Sequence, residues 1–271
     1  MSRESIRQED IPTVNLGERK KHQVDIGISS IIGTRKVQQD TVFAQTGEKG
    51  TLAIVCDGMG GLKSGELASR TAAEMLAADF FDAEELGDIP EFLQQEAVKI
   101  DSAVFRLRGE DGESLETGTT MVAAVVTEDR LHWLSVGDSR IYLLRGTEMV
   151  AASRTHNYRY ALDQQRKNGQ ITQQYYEEQA EQGDALISYI GMGNVSLMDV
   201  NQSAFQLQDG DMILLCSDGL YRSLSPERIQ QIVREQIGDI EQAAHYLCVS
   251  ALDASPGAQD NTSLVLMRYH K

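Results

Sequence analysis

The segment Thr51-Leu52-Ala53-Ile54-Val55-Cys56-Asp57-Gly58-Met59-Gly60-Gly61 decides how this chain is read. Thr51 to Cys56 is a continuous apolar run of strand length, which predicts a buried β-strand. It ends abruptly at Asp57, and the glycines beyond it predict a loop able to make close turns. Asp57 is therefore expected at the end of a buried strand, a costly place for an unpaired charge.

Working outward, Val24 to Ile32 and Thr41 to Ala44 are β-prone and flank the polar stretch Thr34 to Asp40, which predicts strand, turn, strand. Downstream, Leu67, Ala68, Thr71, Ala72, Met75, Leu76 and Phe80 fall at helical spacing and predict a helix over 64–81. Phe92, Leu93, Val98, Val104, Phe105 and Leu107 predict a second over 90–108. Three β-prone runs follow, Thr119 to Thr127, Leu131 to Val136 and Ile141 to Leu144. The connections Glu128-Asp129-Arg130 and Gly137-Asp138-Ser139-Arg140 suit hairpins and predict an antiparallel meander.

Residues 153–201 turn polar and lose periodicity, as expected of an inserted subdomain with short helices. Met212 to Cys216 is another apolar strand, ending in a second Asp-Gly turn at Ser217-Asp218-Gly219. Ser225-Pro226 and Asp239 each open a helix. Thr262 to Tyr269 closes the chain as a strand, preceded by Asp260-Asn261. Strands and helices come in blocks, so the fold class is α+β, with mainly antiparallel sheets covered by helices.

The 271 residues are 41% apolar with only 4 Pro, which fits one compact domain over residues 24–271 rather than a disordered chain. Residues 1–23 form a polar leader without the apolar stretch of a secretory signal or membrane anchor. No later run approaches a membrane span, so no membrane partner is expected. The three cysteines lack CxxC spacing, which speaks against a disulfide frame or zinc site and leaves the cytoplasm as the default location. The formal net charge of −16 repels nucleic-acid backbones, so an anionic substrate must be drawn in by something local, such as bound cations.

Three strand junctions, Cys56-Asp57-Gly58, Ser217-Asp218-Gly219 and Gln259-Asp260-Asn261, each place a carboxylate beside a buried β-run. If these ends meet, repulsion raises the carboxyl pKa values unless hard cations lie between them, and all-oxygen ligands favour Mg2+ or Mn2+ over Zn2+. The plainer reading is ordinary Asp-Gly turn chemistry. Spacing alone leaves both open.

The ordered set Gly33-Thr34-Arg35 through Asp40, Asp57-Gly58-Met59-Gly60-Gly61, Gly118-Thr119-Thr120, Gly137-Asp138-Ser139-Arg140, Ser217-Asp218-Gly219-Leu220 and Asp260-Asn261-Thr262 resembles the metal-dependent serine/threonine protein phosphatases of the protein phosphatase 2C (PPM) family, bacterial type. The resemblance runs from about residue 24 to the end. It implies a four-layer α-β-β-α sandwich of two mainly antiparallel sheets flanked by helices, with a flap subdomain at about 153–201. It also implies hydrolysis of phosphoserine and phosphothreonine by two-metal activation of a bridging water, with Mn2+ or Mg2+.

Carried over by motif, Asp57 bridges both metals, the Gly58 carbonyl helps bind one, and Asp218 and Asp260 ligate the other. Asp40 acts mostly through metal-bound waters, and Asp138 helps Asp218 hold a weaker third ion. Arg35 matches the phosphate-binding arginine, whose planar fork makes two charge-assisted bonds to a phosphoryl group. The implied partners are phosphorylated proteins and a cognate kinase or its substrates, with a monomer as the expected state.

Gln38-Gln39-Asp40 departs from the family's Asn-Glu-Asp or Asn-Gln-Asp, Met59 replaces a histidine of many eukaryotic members, and Thr155 stands in an aspartate position beside His156. A catalytically lapsed pseudo-phosphatase serving as a regulatory binding module is the alternative. A nuclease is a third reading, disfavoured by the acidic surface and the missing basic stripe.

Overall fold

The computed structural model describes residues 24–61 and 64–271; the leader expected over residues 1–23 lies outside them. The chain runs β1 (Val24–Ile31), β2 (Asp40–Gly47), β3 (Gly50–Gly60), α1 (Ser64–Asp82), α2 (Ile89–Phe105), β4 (Thr117–Thr119), β5 (Met121–Thr127), β6 (Arg130–Val136), β7 (Arg140–Arg145) and β8 (Glu148–Ala151). It continues through α3 (Tyr158–Lys167), α4 (Gln173–Gln179), β9 (Asp199–Val200), β10 (Phe205–Gln206), β11 (Met212–Cys216), α5 (Asp218–Tyr221), α6 (Pro226–Glu235), α7 (Ile240–Ala254) and β12 (Thr262–Tyr269).

One sheet has the order β1-β12-β11-β7-β8; the other has β10-β6-β5-β3-β2, with β4 beside β3 and β9 beside β6. The pairings are antiparallel. Alternation along each strand assigns the layers, because successive side chains point to opposite faces. In β3, Leu52, Ile54 and Cys56 pack with α1 and α2, whereas Ala53 and Val55 meet Ile213, Leu215, Val265 and Met267 of the other sheet. In β11, Leu214 and Cys216 turn away to α6 and α7. The result is the expected four-layer sandwich, and its three cysteines are free and buried.

Ser225 and Asp239 cap their helices as anticipated, accepting from the Arg228 and Gln242 N–H groups. Three local expectations are corrected. First, β3 does not stop at Asp57 but runs on to Gly60, exchanging β5 for β4 so that Gly58 lies opposite Thr119. Glycine is what permits this: a Cβ at Gly58 would run into the Gly65 and Gln39 carbonyls.

Second, the meander breaks. The turn at Gly137-Asp138-Ser139 is no hairpin but carries the chain from β6 in one sheet to β7 in the other. Gly137 takes φ +101° there, in the region favouring glycine, packed on Thr120. Third, Ser217-Asp218-Gly219 is not a turn. Ser217 stands at the N-cap position of the short helix α5, and Asp218 is its first residue.

The polar segment after β8 does form short helices, α3 and α4, capped by Asn157 and Thr172. The short strands β8, β9 and β10 were not foreseen. Val98 and Phe105, placed on the buried stripe of the second helix, are exposed instead.

Candidate active site

The alternation that buries Ala53 and Val55 between the sheets continues to Asp57, which points into the rim of the inter-sheet layer. Asp40 opens β2 directly opposite it in register. Like charges opposed in a sheet repel, so this pair is unfavourable unless a proton or cation intervenes. Thr120 Oγ1 accepts from the Asp57 N–H at 3.0 Å, while Thr119 Oγ1 and the Thr120 N–H donate to the Asp57 carbonyl at 2.9 and 2.8 Å. These bonds fix the Asp57 backbone.

Asp40 is 7% exposed; its Oδ2 accepts from Ser217 Oγ at 2.8 Å, but its buried Oδ1 has no hydrogen-bond partner. Burial pushes its pKa from 3.8 up to about 7, against the lowering effect of the Ser217 bond. Asp57 is raised well above its ordinary value, first by burial and then by Asp40, Asp218, Asp138 and Asp260. Asp218 is lifted to about 6 by burial, with Arg222 opposing and Asp138 and Asp260 adding repulsion. Burial also raises Asp138, which is 5% exposed, against Arg222 and the Tyr221 hydroxyl.

Distant segments are tied together at this rim. Asn261 Oδ1 accepts from the Gln39 N–H at 2.9 Å, and Asn261 Nδ2 donates to the Ile32 and Val37 carbonyls at 2.9 and 3.1 Å. The Arg35 loop is thereby held against Asp260, and Arg35 Nη2 donates to Asp260 Oδ2 at 2.6 Å. Arg222 Nε lies 2.9 Å from Asp218 Oδ2, and its Nη2 lies 3.5 Å from Asp138 Oδ2.

The anticipated residues thus gather at one end of the sandwich, Asp40 beside Asp57, Asp138 beside Asp218, and Asp260 under Arg35. Among the described residues, no three acidic, histidine or cysteine side chains converge closely enough to ligate one ion as they stand. Arginines neutralise Asp260 and Asp218 in this arrangement. The donor set nonetheless fits a hard divalent cation: all oxygen, mutually repelling, buried at Asp40 and Asp138 and partly buried at Asp57, Asp218 and Asp260, and with Asp40 Oδ1 lacking any partner.

Of the departures from the motif pattern, the Gln39 side chain donates from Nε2 to the Gly61 carbonyl at 3.3 Å, and its backbone is tied in as well. The Gln39 carbonyl accepts from the Gly58 N–H at 3.1 Å and Ser69 Oγ at 2.6 Å. His156 is buried, its Nδ1 accepting from the Gly137 N–H at 3.3 Å, and burial lowers its pKa. It supports the inter-sheet turn and does not touch the carboxylates. Arg222, Tyr221 and Ser217 were missed, although Arg222 stands four residues after Asp218, the spacing of a helical ion pair.

The model of the family described as protein phosphatase 2C matches residues 29–247. The chain belongs to the protein phosphatase 2C family. It is 26% identical over 223 residues to the serine/threonine phosphatase stp of Listeria innocua, covering 81% of this chain and 85% of that protein. It is 30% identical over 233 residues to the serine/threonine protein phosphatase PstP of Mycobacterium tuberculosis, covering 86% of this chain and 42% of that protein. The catalytic domain of a PstP solved in complex with two manganese ions superposes with a TM-score of 0.73 at 28% identity, covering 92% of this chain and 99% of that one. The serine/threonine phosphatase of S. agalactiae gives a TM-score of 0.77 at 27% identity, covering 92% and 100%. This protein phosphatase 2C member therefore shares both the sequence signature and the sandwich of known phosphatases.

Proposed function

We propose that this protein phosphatase 2C member hydrolyses phosphoserine and phosphothreonine in proteins, using two divalent ions, Mn2+ or Mg2+. The observation that carries this reading is the opposed Asp40–Asp57 pair, with the buried, unpartnered Asp40 Oδ1. When bound, such ions supply water of lowered pKa and countercharge for the phosphoryl oxygens.

Asp57 and the Gly58 carbonyl, at the point where β3 changes partners, would help hold these ions, Gly58 only one of them, and Asp218 and Asp260 would complete the set. Asp40, across the strand pair, would act mostly through water held by the ions. Asp138 stands beside Asp218 as the acid for a weaker third ion. Arg35, whose side chain is 59% exposed, would exchange its Asp260 partner for the phosphoryl group, which its fork can grip with two bonds. Its positive charge also opposes the −16 field that would otherwise repel a phosphopeptide.

Residues 24–271 form one catalytic domain, with the flap at about 153–201 bordering the site. Among the described residues no helix is long and apolar enough to cross a membrane. The reading includes a cytoplasmic monomer that opposes a cognate serine/threonine kinase, in keeping with the resemblance to bacterial serine/threonine phosphatases. The intact acidic set favours an active enzyme over a lapsed one, because a pure binding module has no use for so costly a cluster. The test is hydrolysis of a phosphothreonine peptide with Mn2+, with Mg2+ and with chelator, for wild type, Asp57→Asn and Asp218→Asn. Metal-dependent turnover lost in both variants is expected; no turnover by a folded, metal-binding protein would leave the regulatory module.

A further inference from the structure

Arg222 reaches three carboxylates on three separate elements. Its Nε contacts Asp218 at the start of α5 at 2.9 Å, and its Nη2 faces Asp138 on the inter-sheet turn at 3.5 Å. Its Nη1 faces Asp184 of the flap at 3.7 Å. Asp138 is further held by Tyr221, whose hydroxyl lies 3.0 Å from its carbonyl and 3.3 Å from its Oδ2. Arg159 of α3 approaches the other oxygen of Asp184 at 3.7 Å. A cavity of about 240 Å3 lies between flap and sandwich, lined by Asp138, Thr155, Arg159, Asp184 and Arg222 among others.

An ordinary helical i,i+4 pair would explain the Asp218 contact alone. It does not explain why every nitrogen of the guanidinium faces a different carboxylate, two of them, Asp138 and Asp218, with side chains only 8% and 15% exposed. A fixed positive charge set between two mostly buried acids performs the neutralising task of a cation at that spot.

We propose that Arg222 is a protein-borne cation that competes with a third metal ion for the Asp138–Asp218 pair, and that Asp184 couples the flap to this exchange. This rests on the two-ion reading given above. With Arg222 seated, Asp138 and the Oδ2 oxygen of Asp218 are occupied, which leaves Asp218 Oδ1 to the two-ion site, and the flap is drawn toward the core through Asp184. With Arg222 displaced, the acid pair is open to an ion and the flap loses one of its ties. Arg222 is thus a positioning residue. It touches no reacting atom, but sets the charge on a carboxylate that does the ligating.

The test is calorimetric titration of Mn2+ into the full-length protein after chelator treatment and dialysis, comparing wild type with Arg222→Met, Arg222→Lys and Asp184→Ala. Expected are two tight ions in each, a third bound at least tenfold tighter in Arg222→Met than in wild type, and substantial return to the wild-type value in Arg222→Lys. Asp184→Ala, at a side chain 62% exposed where folding is safe, is expected to tighten the third ion severalfold. Two tight ions with an unchanged third in both Arg222→Met and Asp184→Ala would overturn the competition while leaving the two-ion reading intact. Fewer than two ions in folded wild type would overturn both.

Discussion

Replacing Asp40 by Asn should remove one share of a pH dependence that the metal-free protein carries and to which the raised carboxyls of Asp57, Asp218 and Asp138 also contribute. Burial raises this carboxyl from 3.8 to about 7 in the folded state. Between those values the folded chain holds a proton that the unfolded chain has released, so stability falls as pH climbs through the window. The sign is opposite to that of a salt-bridged aspartate. A rise of about three pKa units corresponds to about 4 kcal/mol, of which roughly 2–3 kcal/mol is lost between pH 5 and pH 8. The asparagine cannot ionise, and the constant cost of its amide beside Ser217 cancels when one protein is compared across pH. Urea unfolding in chelator at pH 5, 6, 7 and 8 should therefore show wild type losing stability relative to Asp40→Asn by roughly 2–3 kcal/mol. Saturating Mn2+ should stabilise wild type more than the variant, because the cation takes over the proton's role at Asp40. Parallel stability curves for the two chelated proteins would refute the claim that Asp40 is a frustrated buried charge.

Asp57→Asn should lower Mn2+-dependent turnover of a phosphothreonine peptide by about 10³-fold or more while far-ultraviolet circular dichroism stays unchanged. Arg35→Ala should act mainly on substrate binding, raising KM about ten- to a hundredfold with a smaller fall in kcat, and Lys should rescue it only in part because it lacks the planar fork. Asp101, 1% exposed in α2, accepts the Gly191, Gly193 and Val195 N–H groups at 2.7, 3.1 and 3.0 Å. Asp101→Ala should cost about 3 kcal/mol in denaturant unfolding, since it strands three backbone donors at once.

Much of the sandwich was legible because its strands obey strong local signals. Thr262–Tyr269 and Met212–Cys216 form over the residues their apolar runs mark, and Ser225 and Asp239 cap the helices they announce. What failed was partner choice. Residues 130–145 look like a hairpin because glycine and aspartate suit a hairpin turn as well as a crossover, and nothing local says which sheet β7 will join. The strand ending at Asp57 was cut short because glycine usually weakens strands, whereas here the lack of a side chain is what lets Gly65 approach. The site followed the same division. The acidic residues were visible as junction carboxylates and as family motifs, but the arginines that neutralise them depend on contacts across more than two hundred residues for Arg35, and on one unremarked turn of helix for Arg222.

The β2–β3 hairpin acts as a ruler. Its tip, where Gly47 pairs with Gly50 around Glu48 and Lys49, sets which residue of β2 faces which residue of β3 all the way to Asp40 and Asp57, about 23 Å along the strand. Slipping β3 by a single position would present Cys56 to the cleft and turn Asp57 into the helical layer. The tip, remote from the acids and anchored by Lys49 on the Phe81 carbonyl, is therefore as much a part of the catalytic specification as the acids themselves. Lengthening it by one residue would disable the site without altering any of its chemistry.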